Sequence, residues 1–360
     1  MYKKPSLFLE SHHLKNPFFG FGQFNYHLLK ALQKQDIADI DITLLTANPT
    51  KWKKEFSQSY TYKKYHSFTR YPIARIRKKY DLWHAMNQNT KIEPYYNIPY
   101  LLTVHNITYI KNPDSYMQEK AHKRFQEKLS RSQAITYISN YAKKSTHDFF
   151  EVPKVPEYVI HNGNPIAEIT LSPEYTPDQI MQGPFLFSIG EFTARKNFKS
   201  LIRMLEHLPD KNLIIAGKNS TREAQRIREY ISAKKLTHRV LLPGKISEKD
   251  KQWYYKNCEA FVFPSLREGF GLPIIEAMRF GKPIFTSNNT SLPEVGGDVA
   301  QYWEHYDPEY MANSLQNGLQ EINNSREVFE KKAMARAASF SWDNAASDYM
   351  KVYKTLLSTF

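Results

Sequence analysis

One cysteine, Cys258, serves a chain of 360 residues, so no internal disulfide framework can staple the fold, and the composition suits a reducing compartment. No apolar run approaches the roughly 18–20 residues that cross a bilayer. A mean hydropathy of −0.60 also argues against an integral membrane protein. The start, MYKKPSLFLESHH, has two lysines but too short an apolar segment for a signal peptide, and it reads as a first strand. Acid is scarce: 36 Asp and Glu stand against 50 Lys and Arg, a formal net charge of +14. Neither a short repeat nor a low-complexity segment is found. What is present is globular, with 41% hydrophobic and 14% aromatic residues. The length exceeds what one hydrophobic core organises and implies two domains.

The positive charge is concentrated. Residues 51–80 hold ten Lys or Arg, one Glu and eight aromatics, in KWKKEF, YKKYH and RIRKKY. Cations interleaved with rings suit an anionic membrane surface, where each Lys or Arg is worth about 1 kcal/mol. Nucleic acid also attracts such a surface, but the chain carries no recognised nucleic-acid-binding motif, and none is expected as a partner.

Short apolar runs alternate with helical stretches along the whole chain. Residues 6–9, 40–45, 81–85, 100–104, 134–138 and 158–160 read as strands in the first half. Residues 185–189, 212–216, 240–242, 260–263 and 283–286 read so in the second. Between them, residues 24–35, 118–130, 198–208 and 220–234 read as helices. This alternation implies parallel sheets covered on both faces, in two Rossmann-like domains. Pro173, Pro177, Gly183 and Pro184 break the pattern between residues 166 and 184. The expected organisation is an N-terminal domain over 1–170, a C-terminal domain over 180–342 and a final helix over 343–360.

The most informative segment is PSLREGFGLPIIEAMR, residues 264–279. It reads as a strand end, a glycine-rich turn and a helix start, with Glu268 in the turn and Glu276 in the first helical turn. In open α/β sheets, ligands bind beyond the carboxyl ends of strands. Glycines let backbone approach a ligand, and a carboxylate accepts sugar hydroxyls. Upstream, Ser188 to Asn197 also follows an apolar strand and precedes a helix. Its Arg195 offers a planar fork and Lys196 a compact charge, a pair suited to adjacent phosphates and a charged leaving group. Phe19-Gly20-Phe21-Gly22-Gln23 places two glycines before a helix, a weak phosphate-cradle signal. His105 ends the strand Leu101 to Val104.

The 264–279 segment closely resembles the E-x7-E signature of retaining glycosyltransferases of the GT-B fold, glycosyltransferase family 4. The other motifs follow in family order over roughly residues 17–345. Ser188 to Asn197 resembles the family's G-T-x-x-P-R-K-N, with Glu191 for the Thr and Ala194 for the Pro. Gly20 to Gln23 resembles G-I-G-R, with Gln23 for the Arg. Leu101 to Asn106 resembles T-V-H-D, with Asn106 for the Asp. Ser139, Asn162-Gly163 and Leu292-Pro293-Glu294-Val295 match further elements in part.

The resemblance implies two Rossmann-like domains facing across a cleft, with the last helix, after Phe340-Ser341-Trp342, crossing back to the N-terminal domain. It implies roles at the reacting centre for His105, Glu268, Arg195 and Lys196. It implies donor contacts from Gly20, Gly22, Gly190, Arg195, Lys196, Glu268, Gly269, Phe270, Gly271, Leu272 and Glu276. Glu268 would touch the donor sugar, Glu276 the ribose, and Glu294 would help shape the nucleotide pocket. The implied reaction is retaining transfer of a hexose-type sugar from a GDP- or UDP-sugar to a saccharide or lipid-linked acceptor, in envelope polysaccharide or lipopolysaccharide assembly. No cofactor is expected beyond the nucleotide sugar as co-substrate. No metal is expected either, because there is no His/Asp cluster with metal-ligand spacing and the Arg195–Lys196 pair can replace a divalent ion. The expected location is the cytoplasm, with peripheral contact at the inner membrane through residues 51–80. Two other readings use the same scaffold: a nucleotide-sugar epimerase, and a non-catalytic binder of sugar nucleotides or polyanions.

Overall fold

A computed structural model of the chain describes residues 3–17, 19–56, 59–107, 120–166 and 168–359. The expected helix over 118–130 therefore begins outside the described residues, and its described part is Lys120–Arg131. Two compact units are present: Met1–Pro165 with Ser341–Phe360, and Ile166–Phe340.

The first unit is built on a seven-stranded sheet. Its strands are β1 (Ser6–Leu9), β2 (Asp41–Thr46), β3 (Thr61–Lys64), β4 (Leu82–Ala85), β5 (Tyr100–Val104), β6 (Ala134–Tyr137) and β7 (Glu157–Val159). They lie in the order β3-β2-β1-β4-β5-β6-β7, and each pairing is parallel. The central strands are mostly apolar runs because helices cover both faces and leave no solvated side. Phe8 and Trp83 from β1 and β4 are fully buried and stack with centroids 4.0 Å apart.

The last helix, Trp342–Thr359, returns to this sheet. Its Tyr353 hydroxyl lies 2.9 Å from His84 Nδ1 in β4, and His84 Nε2 lies 2.7 Å from Thr103 Oγ1 in β5. The Tyr349 hydroxyl reaches Thr103 at 3.2 Å and Thr136 at 3.3 Å. Burial drives the His84 ring to about 3, so it is neutral and can both donate and accept.

The second unit repeats the plan with six strands: β8 (Phe185–Ile189), β9 (Asn212–Ala216), β10 (Val240–Gly244), β11 (Ala260–Phe263), β12 (Ile284–Ser287) and β13 (Ala300–Trp303). The order is β10-β9-β8-β11-β12-β13, again parallel throughout. Within the pattern-breaking stretch, residues 170–175 are held against helix Glu248–Asn257. Thr170 N donates to Gln252 Oε1 at 2.9 Å, and the Tyr175 hydroxyl donates to Asp250 Oδ1 at 2.6 Å. Among the described residues no helix is long and apolar enough to cross a membrane.

Candidate active site

In a doubly wound sheet the ligand crevice opens where the strand order reverses. In the second unit that point lies between β8 and β11, paired with Ala260 opposite Leu186. After β8, Ala194–Lys196 forms one 3-10 turn, and Asn197 takes a left-handed conformation at φ 52°. Asn tolerates that region better than most residues, and the corner launches helix Phe198–Leu205. The turn is stitched to the loop after β11, where Leu266 N donates to Arg195 O at 2.8 Å.

Three donors converge on one carboxylate oxygen in that loop. Glu268 Oε1 accepts from Lys196 Nζ at 2.6 Å, Ser265 Oγ at 2.6 Å and Arg195 Nη1 at 2.9 Å. Arg195 also donates to Arg267 O. Glu268 Oε2 takes no hydrogen bond from the described residues, which leaves that oxygen open to a ligand hydroxyl. Burial by itself would raise the Glu268 carboxyl, but the Lys196 and Arg195 charges outweigh it and hold it below the ordinary carboxylate range. The Lys196 ammonium lies 4.5 Å from the Phe263 ring centroid. Two cations against one anion leave a local positive surplus.

The loop after β12 fixes the backbone that carries this carboxylate. Glu268 N donates to Thr290 Oγ1 at 3.0 Å, while Ser291 Oγ donates to Glu268 O at 3.0 Å and Phe270 O at 2.8 Å. Gly269 is buried, and Phe270 is buried with its ring edge-on to Phe340 at 5.6 Å, so that side chain serves packing. Gly271 has φ 122°, a conformation that disfavours any side chain, and it caps helix Leu272–Arg279. Gly190 follows β8 and donates its N–H to Ala216 O at 2.9 Å. Glu191, a departure from the family pattern, is neutralised by Lys218 at 2.9 Å.

Glu276 is placed differently. It is 4% exposed, with Lys251 Nζ 3.0 Å from Oε1 and the Tyr255 hydroxyl 2.8 Å from Oε2. Burial pulls the Lys251 ammonium down, but Glu276 and Glu248 overcome it and raise it above the ordinary lysine value. Glu276 thus enters any ligand contact already oriented, with about half of its roughly four lone-pair sites in use. Glu294 lies in the short helix Leu292–Gly296, whose backbone carbonyls at Glu294 and Val295 accept from Arg336 at 2.6 and 3.2 Å. Among the described residues, no group of three or more His, Cys, Asp or Glu side chains is arranged to hold a metal ion.

In the first unit the strand order reverses between β1 and β4. The two-glycine segment expected as a loop is helix: Gly20 is the first residue of Gly20–Leu32, and Gly22 lies in its first turn. A Cβ on Gly22 would sit 1.9 Å from Asn16 O, so this glycine is required by close backbone approach, whereas a Cβ on Gly20 meets nothing within 4 Å. His105 is 3% exposed, with Nε2 2.9 Å from Met86 O and its backbone N–H on Gln88 Oε1 at 3.1 Å. Phe21 and Phe24 approach its ring edge-on at 4.8 and 4.6 Å. Burial lowers its pKa to about 4 despite the Met86 carbonyl, so the ring is neutral at pH 7. Ser139 caps helix Asn140–Phe149 by accepting from Ala142 N at 3.0 Å.

Two residues at this point escaped the sequence reading. Glu10 is fully buried at the end of β1, and its Oε1 accepts a short hydrogen bond from His12 Nδ1. Burial raises the Glu10 carboxyl, but His12 and His13 bring it below the ordinary value. Their two-residue spacing at a strand end was the available signal, since such side chains share a face. Lys128, 2% exposed, donates to the carbonyls of Gln88, at 3.1 Å, and Thr90, which holds the loop after β4 that in turn positions His105.

Residues 178–336 match the family model described as glycosyl transferases group 1. The chain is similar to the O-antigen chain mannosyltransferase B of Escherichia coli, 24% identical over 382 residues and covering 95% of this chain and 98% of that protein. It is also similar to the serotype-specific mannosyltransferase WbdA of Escherichia coli, 27% identical over 283 residues, 73% of this chain and 34% of that longer protein. Among solved structures, the sucrose-phosphate synthase of Thermosynechococcus elongatus superposes with a TM-score of 0.72 at 19% identity, covering 99% of this chain and 100% of that one. Anabaena HepE in complex with UDP and glucose gives 0.73 at 16%, covering 98% and 100%. The chain therefore carries a glycosyl transferases group 1 domain on a GT-B architecture of two Rossmann-like units.

Proposed function

We propose that this chain, with its glycosyl transferases group 1 domain, moves a hexosyl group from a nucleotide diphosphate sugar to a saccharide or lipid-linked acceptor, with retention of anomeric configuration. The observation that carries the reading is Glu268: one oxygen is saturated by Lys196, Arg195 and Ser265, and the other is open. Cations beside a half-engaged carboxylate form a site for a charged diphosphate next to a hydroxyl-rich sugar. The named relatives favour a mannosyl donor and O-antigen-type polysaccharide as the product class. Binding of UDP and glucose by the structural neighbour favours a nucleotide sugar as co-substrate.

In the proposed reaction Arg195 and Lys196 hold the diphosphate and Glu268 Oε2 accepts a donor-sugar hydroxyl. The bond from the anomeric carbon to the phosphate oxygen breaks as the acceptor oxygen bonds on the same face. The acceptor proton passes to the departing phosphate oxygen. Stabilising the charge that develops there is the electrostatic part of catalysis, and it needs no divalent ion. In the first unit His105, neutral and pinned to Met86 O, offers a fixed hydrogen-bonding ring for the proposed reaction. The cytoplasm is the proposed compartment of the reaction.

The test is transfer by the purified chain from a panel of nucleotide sugars beginning with GDP-mannose, with anomeric configuration of the product read by NMR. Transfer with retention, unaffected by EDTA, supports the reading. Free sugar released without an acceptor, an inverted product, or activity abolished by EDTA and restored by Mg²⁺ or Mn²⁺ overturns the corresponding part of it.

A further inference from the structure

The basic aromatic segment divides in two. Trp52, Phe56 and Tyr60 are buried, so the rings of KWKKEF and the one just before β3 belong to the interior. That part corrects the expectation that residues 51–80 act as one interface. Residues 66–80 behave differently: Thr69, Ile76 and Tyr80 anchor them, at 7%, 4% and 3% exposure, and most of the rest faces solvent.

The exposed side chains there are apolar as well as charged. Phe68 is 56% exposed, Tyr71 57% and Ile73 85%. A parallel bridge between Ile76 and Pro94, with Tyr95 N donating to Ile76 O at 3.0 Å, adds Tyr95 and Tyr96 to the strip, 49% and 38% exposed. Five of the eleven exposed large hydrophobic residues found among the described residues lie here. Cations bracket them: Arg77 lies 5.1 Å from the Tyr95 ring centroid and Lys79 4.8 Å from that of Tyr96. Arg70, Arg75 and Lys78 complete the set, and no Asp or Glu occurs from 66 to 80.

We propose that this strip, residues 66–79 with Tyr95 and Tyr96, is a membrane-docking surface for an anionic bilayer. A free polyanion would engage the cations and leave Ile73 and Phe68 in water. A bilayer satisfies both, with apolar side chains entering the interface, tyrosines at headgroup depth and Lys and Arg stems reaching out to lipid phosphates. The surface claim stands on the strip alone. Only its use, bringing the protein to a lipid-linked acceptor, rests on the transfer reading above.

Vesicle flotation of the full chain, without donor or acceptor, tests the proposal separately from catalysis. Wild type floats with phosphatidylcholine vesicles containing phosphatidylglycerol and does not float with phosphatidylcholine alone. The Arg75→Ala, Arg77→Ala, Lys79→Ala variant weakens binding by roughly 100-fold, about fivefold per cation. Ile73→Ser weakens it by about tenfold without altering the charge. All four positions are exposed, so each variant keeps the wild-type melting temperature. Failure of wild type to float, equal binding to neutral vesicles, wild-type binding by both variants, or capture only by heparin or short RNA overturns the proposal.

Discussion

Lys196 Nζ lies 2.6 Å from Glu268 Oε1, joining the end of one central strand to the end of its neighbour across the point where the second sheet reverses order. Both side chains are largely shielded, at 10% and 13% exposure; Lys196 holds the Glu268 charge in place before a ligand arrives, while burial lowers the Lys196 ammonium by more than Glu268 raises it. Glu268→Gln keeps the shape and removes the charge. Transfer is expected to fall at least about 100-fold, as for loss of one electrostatic stabiliser, with stability lower by about 1–3 kcal/mol because Lys196 loses its counter-ion.

The same pair sets an acid limit. Glu268 is held below its ordinary value of 4.5 in the folded state, so its contribution is full above that value and is lost as pH falls through the folded value. Thermal melting from pH 7 downward should show wild type losing stability below about pH 4.5 with a steeper slope than Glu268→Gln. Parallel acid limbs for the two proteins would remove the ion pair from the account.

Glu276 makes the opposite case, a carboxylate whose partners are interior. Lys251→Met leaves it buried with only the Tyr255 hydroxyl, and urea unfolding should show a loss of about 3–5 kcal/mol. Tyr255→Phe removes one hydrogen bond and should cost about 1–2 kcal/mol. If Glu276 holds the ribose, both variants also weaken stabilisation by free GDP or UDP, read as a smaller rise in melting temperature at fixed nucleotide concentration.

Two glycines in one helical turn separate packing from ligand approach. Gly22→Ala drives a methyl into Asn16 O and should destabilise by about 1–3 kcal/mol. Gly20→Ala enters open space at the start of a helix and should be neutral or stabilising by up to about 1 kcal/mol. A Gly20→Ala protein that melts normally yet loses donor binding would assign Gly20 to ligand contact. Unchanged binding would leave Gly20 without that role.

Strands buried on both faces were legible: β5, β8, β9 and β11 begin and end where their apolar runs do, at Tyr100–Val104, Phe185–Ile189, Asn212–Ala216 and Ala260–Phe263. The strands that went unread, β3 and β13, are both sheet edges. An edge is half-solvated, so Thr-Tyr-Lys-Lys can pair with β2 while exposing Thr61 and Lys64, and edge lysines discourage further pairing. The juxtaposition of Arg195 and Lys196 with Glu268 follows from motifs at the ends of adjacent strands. Partners from distant elements carry no local signal: Lys251 and Tyr255 for Glu276, Ser291 for the Glu268 loop, and Lys128 beneath the loop that positions His105. They are fixed only once helices pack on the sheet.

His105 gives a pH test in the first unit. Its ring is pinned to the Met86 carbonyl and lowered to about 4, while an unfolded histidine titrates near 6.5. Between those values the unfolded chain binds the proton more readily, so stability present above about pH 6.5 is lost as pH falls toward 4. Two and a half units correspond to roughly 3 kcal/mol at full burial, and the ring is 3% exposed. His105→Gln can keep a hydrogen bond to Met86 O but cannot titrate, so its stability should fall less between pH 7 and pH 4. NMR of the ring should show it neutral throughout pH 5–8. A ring that titrates near 6.5 in the folded protein would mean that water reaches it, and the fixed neutral role assigned to it in the transfer reaction would not hold.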